Sequence, residues 1–299
     1  MTTPLALPAA LQVEPGVAES LRHTLLGAHP NPRSREFVEL AIALGDYLVR
    51  RLPPASPRFI GIAGAQGSGK STLCSYLAST ISALGHGSAT LSIDDLYLTR
   101  AERARLATEV HPLLATRGVP GTHDIALGQH VIDGIAARRT AVLPRFDKGR
   151  DDRRSSGERV YDVDYLLFEG WCVGVLPQQG EALIGPVNAL ERREDADGRW
   201  RRYVNERISD YQPLFERLDL LIWLAVPDMA SVKRWRGQQE QELPESQRMS
   251  DADLSRFVQH YERLTCHMLE TMAPRADITI LLDRDHCIGH VEMRSQTIQ

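Results

Sequence analysis

The sequence predicts a three-layer α/β/α fold with a mainly parallel central sheet, and three observations predict it. Short apolar runs at 58–63, 89–93, 163–168, 218–226 and 277–282 alternate with segments of helical periodicity. Most of these runs lack polar alternation, as strands buried on both faces do. The first run leads through a glycine-rich turn straight into a helical segment, the order of a strand–loop–helix unit.

Each element has its own signal. Ser34 can cap a first helix in which Phe37, Leu40, Ala41, Leu44, Tyr47 and Leu48 recur at helical spacing. Pro53, Pro54 and Pro57 end it before the first strand. Residues 70–84 read as a helix with Leu73, Leu77 and Ile81 on one face. Helices are also expected over 99–109, 124–138, 228–240 and 251–272. A single amphipathic helix is expected over 200–217, carrying Tyr203, Val204, Ile208, Tyr211, Leu214 and Phe215. The strand at 277–282 reads as the last element, and residues 1–30 carry little pattern. Sheets of this kind take their ligands at the carboxyl ends of the strands.

Composition excludes several classes. The chain has 299 residues, 35 basic and 39 acidic side chains and a formal charge of -4, which favours neither nucleic acid nor an anionic membrane surface. No apolar run approaches the roughly 20 residues that span a bilayer, and the N-terminus lacks the basic start of a signal peptide. Cys74, Cys172, Cys266 and Cys287 have no metal-ligand spacing and no disulfide framework. A reducing cytoplasm is the simplest compartment. The basic residues include only three lysines, Lys70, Lys148 and Lys233. Each falls in a segment that reads as part of a site.

Gly64-Ala65-Gln66-Gly67-Ser68-Gly69-Lys70-Ser71, followed by Thr72, matches the phosphate-loop pattern between a strand and a helix. Its glycines let the backbone turn N–H groups inward, and the helix adds the positive end of its dipole. Lys70 is placed to reach the β- and γ-phosphates of a nucleotide, and the Ser71 hydroxyl to ligate Mg²⁺. The motif alone does not separate a kinase from a GTPase or a motor.

Two further strand ends carry acids. Asp94 and Asp95 follow the second strand. Asp94 can take the proton of an attacking hydroxyl, and Asp95 can orient that hydroxyl or hold a metal-bound water; either can instead cap the next helix. Glu169 closes the strand at 163–168 and can order Mg²⁺ and its waters, as can Asp94.

Between these acids lie 117–124 and 144–154, rich in arginine and containing Lys148. Such loops suit a small anionic acceptor, since arginine binds carboxylates bidentately and lysine offers a mobile point charge. The alternative is a solvated charged loop. Asp124 can equally cap the helix after it. Aromatic residues are sparse in these segments, which disfavours a nucleoside acceptor. Lys233, Arg234 and Arg236 follow the fourth strand, where a basic segment can close over phosphates; spacing does not say which of the three points inward. Trp235 reads as packing.

Taken together, the phosphate loop, Ser92-Ile-Asp-Asp-Leu-Tyr97, Arg117-Gly-Val-Pro-Gly-Thr-His-Asp124, Pro144-Arg-Phe-Asp-Lys148, Phe168-Glu-Gly-Trp171, Val204-Asn205 and Trp235-Arg-Gly-Gln-Gln-Glu240 resemble the P-loop kinases of the phosphoribulokinase, uridine kinase and pantothenate kinase group. Within that group they resemble the D-glycerate 3-kinase-like enzymes, over roughly 35–282. Leu96 stands where the wider group usually has Phe. The resemblance implies a P-loop fold and transfer of the ATP γ-phosphoryl group, with Mg²⁺, to a small hydroxylated acid such as D-glycerate. It implies Asp94 as the base and Lys70 and Glu169 beside it. It implies Gly64–Thr72 and Arg236 on the nucleotide, and Asp95, Tyr97, Arg117, His123, Asp124, Arg145 and Lys148 on the acceptor. The expected organisation is an N-terminal extension over 1–33 and one kinase domain over 34–299, with an acceptor-binding insertion near 96–160 and a lid near 233–248. Alternatives are another acceptor (a sugar, a pantothenate-like acid or a nucleoside) or a nucleotide-dependent regulatory module without a metabolite substrate.

Overall fold

The computed structural model describes residues 5–29, 35–241 and 248–294. Ser34, the expected cap, and 242–247 of the expected lid lie outside them. The helices are α1 (Pro15–Ala28), α2 (Arg35–Arg51), α3 (Lys70–Ala83), α4 (Arg100–Glu109), α5 (Ile125–Ala136), α6 (Ala189–Glu194), α7 (Arg199–Arg207), α8 (Gln212–Phe215), α9 (Met229–Gln241) and α10 (Asp251–Thr271). The strands are β1 (Arg58–Gly64), β2 (Ser88–Ser92), β3 (Ala141–Leu143), β4 (Phe146–Asp147), β5 (Asp152–Arg153), β6 (Glu158–Val160), β7 (Tyr165–Gly170), β8 (Leu220–Ala225), β9 (Ile278–Leu282) and β10 (Ile288–Met293).

Six strands form the central sheet in the order β10-β9-β8-β1-β7-β2. All neighbours pair in parallel except β10, which runs antiparallel to β9. The two faces follow the strand period of two. Phe59 and Ala63, Leu166 and Phe168, and Leu221 and Trp223 enter the core that α5 and α10 cover. Ile60 and Ile62, Tyr165 and Leu167, and Ile222 and Leu224 enter the core under α1, α2 and α3. Burial on both faces explains the near-continuous apolar runs.

The structure departs from sequence patterning in four places. The segment before residue 30 holds α1, started by Glu14, whose carboxylate accepts from Val17 N at 3.0 Å. Its buried stripe is only Leu21 and Leu25, too narrow to stand out in the pattern. The expected helix over 200–217 is broken: α7 ends at Arg207, a 3₁₀ turn spans Ile208–Tyr211, and α8 follows. Pro213 supplies no N–H and its ring crowds the carbonyl four residues back, so one continuous helix cannot form. A last strand, β10, follows β9; as an edge strand it buries only Ile288 and Val291, a weak signal. Finally, 141–160 folds as two small antiparallel pairs, β3–β6 and β4–β5.

No helix among the described residues is long and apolar enough to cross a membrane. The four cysteines are free thiols.

Leu25 is 1% exposed in the core between α1, α2 and α3. Leu25→Ala should lower stability by about 2–5 kcal/mol, read as a lower urea midpoint. An unchanged midpoint would mean that α1 contributes nothing to the fold.

Candidate active site

The register of three parallel strands builds the site. Ile62 of β1 lies opposite Glu169 of β7, and Glu169 lies opposite Ser92 of β2. Three carboxyl ends therefore meet, delivering the loop after Gly64, Glu169 itself, and Asp94 two residues past Ser92.

The loop turns through Gly67 and Gly69, with φ of 82° and 93°. A side chain on Gly67 would also meet Trp235 Cβ at 2.8 Å. Trp235 is buried and stacks on His286, so its role here is packing. Lys70 is buried and its Nζ donates to Ala65 O at 3.1 Å. Burial pulls the Lys70 amine below its ordinary value, against the opposing pull of Glu169 and Asp94. Ser71 Oγ donates to Glu169 Oε1 at 3.0 Å. Burial pushes the Glu169 carboxyl up, and Lys70 only partly offsets it.

Asp94 has both carboxylate oxygens engaged. Oδ1 accepts from Tyr97 OH at 2.7 Å and Oδ2 from Lys148 Nζ at 2.7 Å. Burial would raise this carboxyl, but Lys148 and Tyr97 together outweigh burial and hold it below the ordinary aspartate value. Tyr97 is fixed from both sides, stacked on His123 at 4.8 Å and meeting Phe146 edge-on at 5.1 Å.

These residues line a cleft of about 780 Å³. Gln66, Gly67, Lys70, Ser71, Asp94, Tyr97, Arg117, Lys148, Glu169 and Arg236 are on its wall. Of the three basic residues after β8, Arg236 alone reaches it. Lys233 Nζ lies 3.4 Å from Ser255 Oγ on the exposed side, and Arg234 donates to the Arg284 carbonyl. The lysine pattern therefore holds at the cleft for Lys70 and Lys148 and fails for Lys233.

Four residues expected on the acceptor do not line the cleft. Asp95 Oδ1 accepts from Phe146 N at 3.0 Å and Oδ2 from Arg145 at 2.8 Å. Arg145 also donates to Glu158 at 2.6 Å, so this pair anchors the 141–160 segment. Asp124 caps α5 by accepting from Leu127 N at 3.0 Å and meets Arg153 at 3.2 Å. His123 is 5% exposed, and its Nδ1 lies 2.6 Å from Tyr211 OH. All four stand one layer behind Asp94, Tyr97 and Lys148. A charge pattern along the chain cannot separate a residue facing the cleft from one that braces it.

The rest of the wall was foreseen only in part, through the lid residues Gln239 and Glu240 and the motif that ends at Trp171; Met249, Phe257 and Tyr261 were not. Trp171, Gln239, Glu240, Met249, Phe257 and Tyr261 also line the cleft. Tyr261 OH donates to Arg117 O at 3.0 Å and Trp171 Nε1 to Gly118 O at 2.9 Å. Gly118 has φ of 126°, and a Cβ there would lie 2.1 Å from Tyr261 OH. The Arg117–Gly118 turn is thus clamped by two aromatic donors. The scarcity of aromatics in 96–160 therefore does not describe the cleft, whose aromatic residues come mainly from β7's end and α10. Arg117 pairs with Asp151 and lies over the Phe146 ring. Arg236 pairs with Glu240 and lies over Phe257.

Two carboxylates (Asp94, Glu169), a phosphate loop and four cations (Lys70, Arg117, Lys148 and Arg236) along one cleft suit transfer of a phosphoryl group to a hydroxyl. Among the described residues no group of three His, Cys, Asp or Glu is arranged to hold a metal alone.

No protein-family model matches the chain. It is 32% identical over 251 residues, 79% of this chain and 88% of the relative, to an uncharacterized kinase of Schizosaccharomyces pombe. It is 29% identical over 221 residues to the chloroplastic D-glycerate 3-kinase of Arabidopsis thaliana, covering 69% of this chain and 46% of that longer protein. D-glycerate 3-kinase from Cryptococcus neoformans shares its fold, with a TM-score of 0.68 over 96% of this chain and 100% of that one at 22% identity.

The buried imidazoles make stability pH-dependent. Burial holds His123 and His260 near pKa 4, against an ordinary value of 6.5. The unfolded chain takes up these protons below about pH 6.5 and the folded chain does not. Stability should therefore fall as pH drops from about 6.5 to 4, by an amount on the order of a few kcal/mol for the pair. Urea midpoints across that range check it, with His260→Gln flattening the slope.

Proposed function

The chain belongs to the D-glycerate 3-kinase-like P-loop kinases, and on that premise we propose that it transfers the γ-phosphoryl group of ATP to a hydroxyl of a small carboxylic acid, D-glycerate being the favoured acceptor and 3-phosphoglycerate the product. The observation that carries the reading is the cleft itself: Asp94, Lys148 and Arg117 line the same space as Lys70 and Ser71 of the phosphate loop. A base, cations for an acceptor carboxylate and the phosphate cradle thus share one pocket.

The steps follow from the residues. The loop amides and Lys70 hold the phosphates of ATP, and Arg236 reaches them from α9. Arg117 and Lys148 take the acceptor carboxylate and set its hydroxyl toward Asp94. Asp94 accepts the hydroxyl proton as the oxygen bonds to the γ-phosphorus, and the bond to the β–γ bridging oxygen breaks with its electron pair leaving on ADP. Tyr97 keeps Asp94 oriented. Asp95, His123, Asp124 and Arg145 act on the acceptor indirectly, by holding the strand end and hairpin that carry Asp94, Tyr97 and Lys148.

Mg²⁺ fits the donors present: Ser71 and Glu169 supply a hydroxyl and a carboxylate beside the loop, with Asp94 near. A site poor in protein ligands suits an ion that keeps waters and phosphate oxygens. When bound it would neutralise charge on the β- and γ-phosphates. Four free thiols fit a reducing, cytoplasmic setting.

The test is an acceptor panel with ATP: D-glycerate, other hydroxy acids, a sugar, pantothenate and a nucleoside. Glycerate-dependent ADP formation is expected; turnover of another acceptor with none on glycerate would overturn the substrate. ATP hydrolysis without acceptor dependence would favour a regulatory module. Asp94→Asn should lower kcat about 10²–10⁴-fold while ATP affinity stays within a few-fold. Lys148→Arg should raise the acceptor KM, because a planar fork replaces a point charge; an unchanged KM would place Lys148 off the acceptor.

A further inference from the structure

Each carboxylate oxygen of Asp94 already accepts one hydrogen bond. Tyr97 occupies Oδ1 and Lys148 occupies Oδ2, each at 2.7 Å. Each oxygen keeps a second lone pair, but an ammonium 2.7 Å from Oδ2 competes with any proton arriving there, so proton transfer is eased once one partner leaves.

The two partners differ in how easily they can do so. Tyr97 is 3% exposed and gripped by His123 and Phe146. Lys148 is 63% exposed along its side chain. It sits just past β4 in the hairpin turn to β5, whose base is firmly held. Phe146 N donates to Asp95, Arg103 donates to the Asp151 carbonyl at 2.7 Å, and Arg153 donates to the Tyr97 carbonyl at 3.1 Å. At the tip, Asp147 Oδ1 accepts from Gly149 N and Arg150 N at 3.0 and 3.1 Å, which shapes the turn without touching the Lys148 amine. Release therefore requires only the swing of one long flexible side chain. Arg117 lines the same cleft, so an anion bound beside it would give the Lys148 ammonium a second counter-ion.

We infer that Lys148 is a latch on the base, closed on Asp94 Oδ2 when the acceptor site is empty and drawn off it by an anionic acceptor. The inference rests on the reading of Asp94 as the base. It assigns Lys148 a second task beyond holding the acceptor: preventing water from using Asp94. In the reaction it blocks, a water oxygen would bond to the γ-phosphorus, its proton would pass to Asp94 Oδ2, and the bond to the β–γ bridging oxygen would break toward ADP. The latch also favours anionic over neutral acceptors, since a neutral polyol offers the ammonium nothing in exchange for Asp94.

The test measures MgATP hydrolysis by the full chain with no acceptor present. Lys148→Met should raise the rate about tenfold, a fraction of what a general base contributes. The rise should vanish in Lys148→Met/Asp94→Asn. In the same Lys148→Met protein the KM for the anionic acceptor should rise. A misfolded variant loses activity, so a gain that depends on Asp94 separates a latch from structural damage. Hydrolysis by Lys148→Met that is unchanged, lower or undetectable would overturn the latch. If hydrolysis rises but no acceptor in the panel is phosphorylated, the latch stands and the acceptor reading falls; if an acceptor is phosphorylated and hydrolysis does not rise, the reverse holds.

Discussion

The structure depends on one constraint, the parallel register that sets Ile62, Glu169 and Ser92 side by side across β1, β7 and β2. Side chains on a strand alternate faces, so a slip of one residue would send Glu169 away from Ser71 and bring Phe168 to the loop. The register is held by apolar side chains on both faces. The strands that carry the site also form the centre of the two cores. Stability and function are therefore set by the same pairing.

Around that frame the charges sort by depth. Lys70 and Glu169 are buried, and burial pulls both toward their neutral forms. Such a pair gains from phosphate oxygens and a cation that complete its partners, which suits a site meant to be filled. Asp94 lies nearer solvent and is kept ionised by Lys148 and Tyr97. Two carboxylates in one cleft thus have opposite tendencies, one toward the proton and one away from it.

Much of this was legible along the chain, because the decisive residues lie within local patterns. The phosphate loop needs its glycines and lysine at fixed offsets, and Asp94 and Glu169 close recognisable strands. The misplacements have a common cause. Asp95, Asp124 and Arg145 carry the same charges as residues on the cleft wall, and only the fold turns them to brace Phe146, α5 and the β4–β5 hairpin. Tyr261 gave the opposite error. It sits in the apolar stripe of α10, and the tertiary approach to Gly118 brings its hydroxyl onto the Arg117 carbonyl. Lys233 belonged to a basic cluster whose members point three ways around α9; helical geometry takes Arg236 alone to the cleft.

The proposed function rests on direct transfer from a phosphate in the loop to an acceptor hydroxyl held against Asp94. A single-turnover quench with γ-labelled ATP, excess full-length protein and D-glycerate measures it most directly. The label should pass to the glycerate hydroxyl in step with ADP formation. Label released as inorganic phosphate at a rate indifferent to the acid would contradict it.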